Sequence, residues 1–467
     1  MRILRARLIR ANAPERGVAL LISFLVLLVV IALVYQIHIV TSTDAKVSHN
    51  DITRTRMDLA IESAFLQVYE SLAEDGEGAG EAGAAGGAPD QGGDASLGGG
   101  APAPGGGGEQ ESIDSKMDDW ARPQVTSINE IDLRIMVQDE DSKYNILNML
   151  NPDEELAELA FERVVRILDR CRQETRVDID GSDAEAMGRV MLEHLTQRSD
   201  SGVLPRPLLL TDQATEEGTL GMPVSMREFA VLEPFDETHF RDFFDTDGVR
   251  VHSIESFLTI WTSAQVGPID SIAREGQGAP TGDERVVLGY GVNINTAPLA
   301  VLASLTDTRD VNYRFWDGVL EYRNIEAELE EDQEEIEPML DENGEEIIQR
   351  QFFENLETLE EIYGWINMEP AVKESVEELL TLQSNVFSIY ISAHLPTQAD
   401  EKRIETFYTR EEREQYERSG LNLIRTVRSV IWRNPDAAEM GVIPLLRWEV
   451  LDYQPFEVLD FPDEDYR

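Results

Sequence analysis

One stretch limits the fold of this chain more than any other, the apolar run Val18 to Tyr35. It holds eighteen residues without a charge, and the next charged side chain after it is Asp44. At about 1.5 Å per helical residue, such a run extended through Gln36-Ile37-His38-Ile39-Val40 matches the roughly 30 Å of a bilayer's hydrocarbon. The residues before it carry Arg2, Arg5, Arg7, Arg10 and Arg16 against the single acid Glu15. Basic flanks stay cytoplasmic, so the body of the chain is expected on the far side of the membrane. A cleaved secretory signal has a shorter core and a small-x-small site after it, which Tyr35-Gln36-Ile37-His38-Ile39-Val40 does not supply. A plain single-pass anchor explains the run by itself; the added detail is Gly17 at the junction of basic leader and apolar helix.

Beyond the membrane segment the chain is acidic. Ninety acids against 40 bases give a formal net charge of −50 over 467 residues. Nucleic acid as a partner is therefore excluded, since phosphate binding needs cationic neutralisation. A single cysteine, Cys171, rules out an intramolecular disulfide, and no Cys/His spacing suits zinc.

Between residues 41 and 75 the chain has no proline or glycine, and Ile61, Ala64, Phe65, Val68 and Leu72 recur at helical steps. One helix is therefore expected from Val18 to Glu74, lipid-embedded in its first half and packed on a soluble domain in its second. Gly76–Gly108 contains 15 of the 33 glycines and reads as a flexible tether. Ile131–Val137 alternates like a half-buried strand, and Asp139–Lys143 reads as a turn. Tyr144–Asn148 then reads as a return strand or the approach to a helix. Pro152–Arg172 predicts a helix with proline and acids in its first turn. Further helices are predicted over Ala184–Leu195, Ser253–Thr262, Pro298–Leu305, Arg314–Asn324, Leu356–Tyr363 and Ala371–Leu382. Glu326–Glu346, with 12 acids in 21 positions, reads as a solvated insertion. Val386–His394, Asn422–Trp432 and Leu445–Leu451 predict antiparallel strands, the middle one carrying Arg425 and Arg428.

Four stretches in fixed order resemble the K-type minor pseudopilins of type II (general) secretion. They are Arg16–Leu21, Asp139–Asn148, Gly291–Leu302, and Leu382–Ile389 with the later strand Arg425–Arg433. The resemblance implies an α+β pseudopilin fold: a long N-terminal transmembrane helix, an antiparallel sheet and a large inserted helical domain. It partitions the chain into a leader 1–17, an assembly helix 18–75, a glycine-rich linker 76–115 and first strands 116–150. An inserted α-helical domain 151–385, including the acidic insertion 326–346, and C-terminal strands 386–467 complete it. It also implies that a prepilin peptidase cuts after Gly17 and methylates the new amine of Val18. Most members carry glutamate at the fifth mature position, where this chain has Ile22. A membrane-buried carboxylate persists only where a neighbour's charge compensates it, so Ile22 suits a subunit with no neighbour above it.

The implied function is non-enzymatic: capping a periplasmic pseudopilus and initiating its assembly. The implied partners are I- and J-type minor pseudopilins, the major pseudopilin, the inner membrane and, as a further class, secreted substrates. Calcium is a cofactor of some members, implied for the family but placed on no residue here. The fragments Asp178-Ile179-Asp180-Gly181 and Asp245-Thr246-Asp247-Gly248 lack the first and last acids of a calcium loop and read as turns. In the asparagine motifs, Asn145, Asn148, Asn293, Asn295 and Thr296 read as structural. Thr296 is placed to cap the helix beginning near Pro298, and the asparagines to bond backbone in the preceding turn. No Gly-x-Ser-x-Gly, phosphate loop or His-Glu-x-x-His occurs among the scattered histidines. The competing readings are a single-pass membrane protein with a periplasmic ligand-binding domain and a membrane-tethered hydrolase.

Overall fold

A computed structural model describes residues 13–78, 113–151, 153–173, 175–198, 225–262, 291–325, 350–395, 424–433 and 441–456. The chain divides into two compact units, Met1–Leu59 and Ala60–Arg467. Helix α1 spans Ala13–Gly78. In the first unit its large apolar side chains from Leu20 to Val40 are all exposed, and this stretch is long and apolar enough to cross a membrane.

The second unit is α+β, as the sequence leads one to expect. Its main sheet has five strands in the order β1 (Gln124–Ile128), β2 (Ile131–Asp139), β9 (Val386–His394), β10 (Ile424–Arg433) and β11 (Val442–Leu451). Every pairing is antiparallel, with Ile135 opposite Ile391 and Ile391 opposite Val427. The C-terminal end of α1 buries Ala60, Ile61, Ala64, Phe65, Val68 and Leu72, the stripe that 3.6-residue periodicity selects. Phe65 meets Trp448 of β11 edge-on at 6.0 Å, and Tyr69 Oη lies 2.5 Å from Ser429 Oγ of β10.

Between β2 and β9 the chain makes a long excursion. It contains β3 (Tyr144–Asn145), α2 (Glu154–Arg170), α3 (Gly181–Arg198), the hairpin β4 (Phe243–Phe244) and β5 (Arg250–Val251), and β6 (Leu258–Thr259). After these come β7 (Val292–Asn293), α4 (Leu299–Leu302), α5 (Tyr313–Asn324), α6 (Pro370–Glu377) and β8 (Leu380–Thr381). Asp153 caps α2 by accepting the amide of Glu155 at 2.9 Å, and Ala160, Val164, Ile167 and Leu168 form its buried face. Two parallel bridges close the excursion at its base, β3 with β6 and β7 with β8. At the second, a Cβ on Gly291 would lie 3.0 Å from the Leu380 carbonyl, so the residue entering β7 has to be glycine.

Several expected helices are shorter, for identifiable reasons. Ser253–Thr262 forms one 3₁₀ turn, Ile254–Ser256, and then β6. A helix would have consumed the Phe257 carbonyl, which here accepts the Tyr144 amide at 3.0 Å. Pro298–Leu305 narrows to α4, and arginines from α2 receive the carbonyls beyond its end. Arg163 Nε donates to Leu305 O at 2.8 Å, Arg166 Nε to Ser304 O at 3.0 Å, and Arg170 to Ala303 O. Leu356–Glu361 is 3₁₀, and the end of the expected helix Ala371–Leu382 turns into β8. The acidic run 326–346 and the glycine-rich stretch from residue 79 to 112 lie outside the described residues.

Candidate functional site

The acidic turn after β2 is wholly buried. Asp139, Glu140, Asp141, Ser142 and Lys143 are each less than a tenth exposed, although residues of these types are mostly found at the surface. The chain turns as it leaves β2, and the three carboxylates serve two clusters.

Glu140 enters the first. Lys143 Nζ donates to Glu140 Oε1 at 2.6 Å, Ser388 Oγ donates at 2.5 Å, and Thr259 Oγ1 donates to Oε2. Arg428 of β10 stands in the same region, paired with Glu255 at 3.0 Å and Glu449 at 2.8 Å. Burial pushes the Glu140 carboxyl up, but the Lys143 ammonium and Arg428 guanidinium outweigh it and hold the group below its ordinary value. This cluster ties β2, β6, β9 and β10 together with its charges matched.

Asp139 and Asp141 enter the second cluster. Asp139 Oδ2 accepts the hydroxyls of Thr296 and of Ser384, the latter at 2.5 Å, while Oδ1 accepts the Asp141 amide at 2.7 Å. Asp141 Oδ2 accepts the amides of Asn385 and Val386 at 2.6 and 3.1 Å, and the Asp141 carbonyl accepts the Asn293 amide at 2.9 Å. Asn293 Nδ2 donates to Ser384 Oγ at 2.7 Å and to Asp114 O at 3.1 Å. The cation is Arg433, whose Nη2 reaches both Asp114 oxygens at 2.6 and 2.7 Å and whose Nη1 reaches Asp75 at 3.0 Å. Among the described residues no cation pairs with Asp139 or Asp141. Burial pushes Asp139 up to about 7 and Asp141 well above the ordinary range, the latter also through the charge of Asp139. Burial raises Asp114 too, with Arg433 opposing it. Asp118 is pushed up to about 6 by burial.

The asparagines singled out from sequence are distributed around these clusters. Asn145 Oδ1 caps the 3₁₀ turn Ile146–Leu150 by accepting the Leu147 amide at 2.8 Å, and its Nδ2 donates to Thr262 O at 2.6 Å. Asn148 is buried in that turn. Asn293 Oδ1 accepts the Asn295 amide at 2.9 Å, closing the turn after β7. Asn295 pairs with the backbone of Phe353 in both directions, at 2.8 and 3.0 Å. Thr296 differs from expectation: α4 begins after Pro298 with no side-chain cap, and the Thr296 hydroxyl goes to Asp139 instead. Pro298 itself stands at the N-cap position, two residues beyond Thr296, so the Thr296 hydroxyl is not placed to accept the first free amides of the helix. Gly17, Val18 and Ile22 lie far from all of these in sequence, in α1, where Ile22 is exposed.

Asp114 and Thr259 escaped sequence reading because they are single polar residues in unremarkable surroundings, and Ser384 and Arg433 enter it only as members of the motif stretches Leu382–Ile389 and Arg425–Arg433. Arg428 and Arg433 did leave a signal, as charges within an otherwise apolar strand. Such a charge has to find a buried partner.

Neither acidic loop fits calcium, which requires several free oxygen donors. Asp245 Oδ1 accepts the amides of Asp247 and Val249 at 2.8 and 2.9 Å, closing the turn between β4 and β5, with Gly248 at φ +81°. Arg176 grips Asp247 with both Nε and Nη2. Asp180 Oδ1 is taken by the amides of Ser182 and Asp183, both at 2.9 Å, at the start of α3. Among the described residues no group of three or more His, Cys, Asp or Glu is arranged to hold a metal ion.

The junction is buried and most of its polar groups are engaged with one another, Arg428 Nε being a buried donor without a hydrogen-bond partner among the described residues. What it does chemically is join: residues 114, 139–143, 293–296, 384–388 and 428–433 are held in one polar knot. No protein-family model matches the sequence, and no curated protein matches it. Among solved structures, the chain is similar to one in the crystal structure of the GspK–GspI–GspJ complex from the enterotoxigenic Escherichia coli type 2 secretion system. The two are 12% identical with a TM-score of 0.37, over 73% of this chain and 87% of that one.

Proposed function

We propose that this chain is a minor pseudopilin of the K type, which caps the periplasmic pseudopilus of a type II secretion machine and initiates its assembly. The observation that carries the reading is the convergence of the motif stretches that bear the family resemblance. Asp139–Asn148, Gly291–Leu302, Leu382–Ile389 and Arg425–Arg433 contribute to the two adjoining buried clusters, although Ser384 and Asp139 are 245 positions apart. Residues spaced so widely and bonded so densely make a framework that maintains one fold, which a scaffold subunit requires. The N-terminal stretch adds the apolar helix that such a subunit uses to enter the membrane.

In this reading the arginine-rich leader stays cytoplasmic, the apolar helix spans the inner membrane once, and the body lies in the periplasm. Prepilin peptidase removes residues 1–17 and methylates Val18. Ile22, lacking a carboxylate, leaves the subunit without a group to neutralise an amine above it, so it takes the terminal position. I- and J-type minor pseudopilins and the major pseudopilin pack below, and secreted proteins meet the exposed face of the domain. The test is N-terminal sequencing and mass analysis of the protein extracted from membranes. The expected mature chain starts at methylated Val18; an intact Met1 overturns the assignment and leaves a single-pass membrane protein with a periplasmic ligand-binding domain.

A further inference from the structure

We propose that the buried Asp139–Asp141 pair holds one proton in the folded chain, so that the junction tightens in mild acid and loosens as the pH rises. Too many acids share a sealed space with too few bases. Asp139 and Asp141 are each 4% exposed, two residues apart on one turn, with no cation paired to either among the described residues. Charged and polar groups face them from every packed element. From the segment before β1 comes Asp114, from α1 Asp75, from β10 Arg433, and from the 382–386 and 291–298 segments only the neutral Ser384, Asn385, Asn293 and Thr296. Lys143, the one cation on the turn itself, is spent on Glu140.

The one guanidinium is bound to Asp114 and Asp75 and acts on Asp139 only through its field. Two further anions two residues apart and out of water repel each other and lack solvation, the condition under which a carboxyl pair keeps a proton. The hydroxyls around Asp139 suit both states. Thr296 and Ser384 donate to a carboxylate, and either can turn its O–H and accept from a carboxylic acid. The raised values of both groups agree in direction, and the proton belongs to the pair.

A carboxyl whose folded value lies above its unfolded one contributes stability fully present below the unfolded value. That contribution is lost as the pH climbs through the pair's raised folded value. Asp139→Asn keeps the neutral form's shape and cannot ionise.

The test is denaturant unfolding of the full chain in detergent micelles from pH 5 to 8, for the wild type, Asp139→Asn and Asp141→Asn. The wild type is expected to lose stability as pH rises, by up to about tenfold in the folding constant per pH unit below the folded value. Asp139→Asn should remove most of that slope and fold better than wild type at pH 8. Infrared spectroscopy at pH 6 should show protonated-carboxyl intensity that Asp139→Asn or Asp141→Asn lowers, beyond what Asp118 contributes to all three proteins. Equal slopes in wild type and both variants, or equal protonated-carboxyl intensity in all three, overturn the proposal. Should Asp139→Asn fail to fold, the slope and intensity of Asp141→Asn against wild type decide.

Discussion

Two clusters built from consecutive residues of one turn differ in how their charge is matched. Around Glu140, cations and anions alternate: Lys143, Arg428 and Arg227 against Glu140, Glu255 and Glu449. Around Asp139 and Asp141, hydroxyls and amides supply the hydrogen bonds, and the ion pairs of Arg433 go to Asp114 and Asp75. The first stabilises a charged carboxylate, the second favours a neutral one. The turn at the end of β2 sends neighbouring acids into opposite electrostatic regimes.

The comparison breaks most forcefully at Lys143. Lys143→Met leaves Glu140 buried and unpaired, and a loss of about 3–5 kcal/mol is expected in denaturant unfolding. Adding Glu140→Gln to that variant should restore most of it, since the orphaned charge is then removed. Arg433→Met is expected to cost less, about 2–4 kcal/mol, because Asp114 can answer by taking up a proton. The Arg433→Met loss should therefore shrink at pH 5 and grow at pH 8, which repeating the titration checks. The smallest effect is expected for Thr296→Val, which removes one hydroxyl from Asp139 at a cost of about 1–2 kcal/mol. That cost should diminish once Asp139→Asn is present, because the two groups share one bond.

Much of the architecture is legible in the chain. The helical stripe Ile61, Ala64, Phe65, Val68 and Leu72, the strand Ile131–Val137 and the C-terminal strands declare themselves by spacing, and all are found. Periodicity works there because one face meets the core and the other does not. It fails at Asp139–Lys143, where a run of polar residues has the composition of a surface turn yet is buried. What buries it are partners more than a hundred positions away, such as Thr259 and Ser388, and no local pattern encodes them. Likewise Thr296 has the residue type of a helix cap, and only the folded chain shows Pro298 at the cap position and the Asp139 carboxyl beside the Thr296 hydroxyl. The helix expected at Ser253–Thr262 gave way to a strand pairing for the same reason.

The pairing of β2 with β9 has a consequence in time. A strand ending at Asp139 cannot find a partner beginning at Val386 until the intervening chain exists. At roughly 5–20 residues per second, synthesis of that interval occupies on the order of ten to fifty seconds. The apolar helix emerges before all of it. Whatever machinery receives the nascent chain therefore handles a long apolar helix attached to a body whose central sheet cannot close, and the sheet is completed only after the last strands have been made.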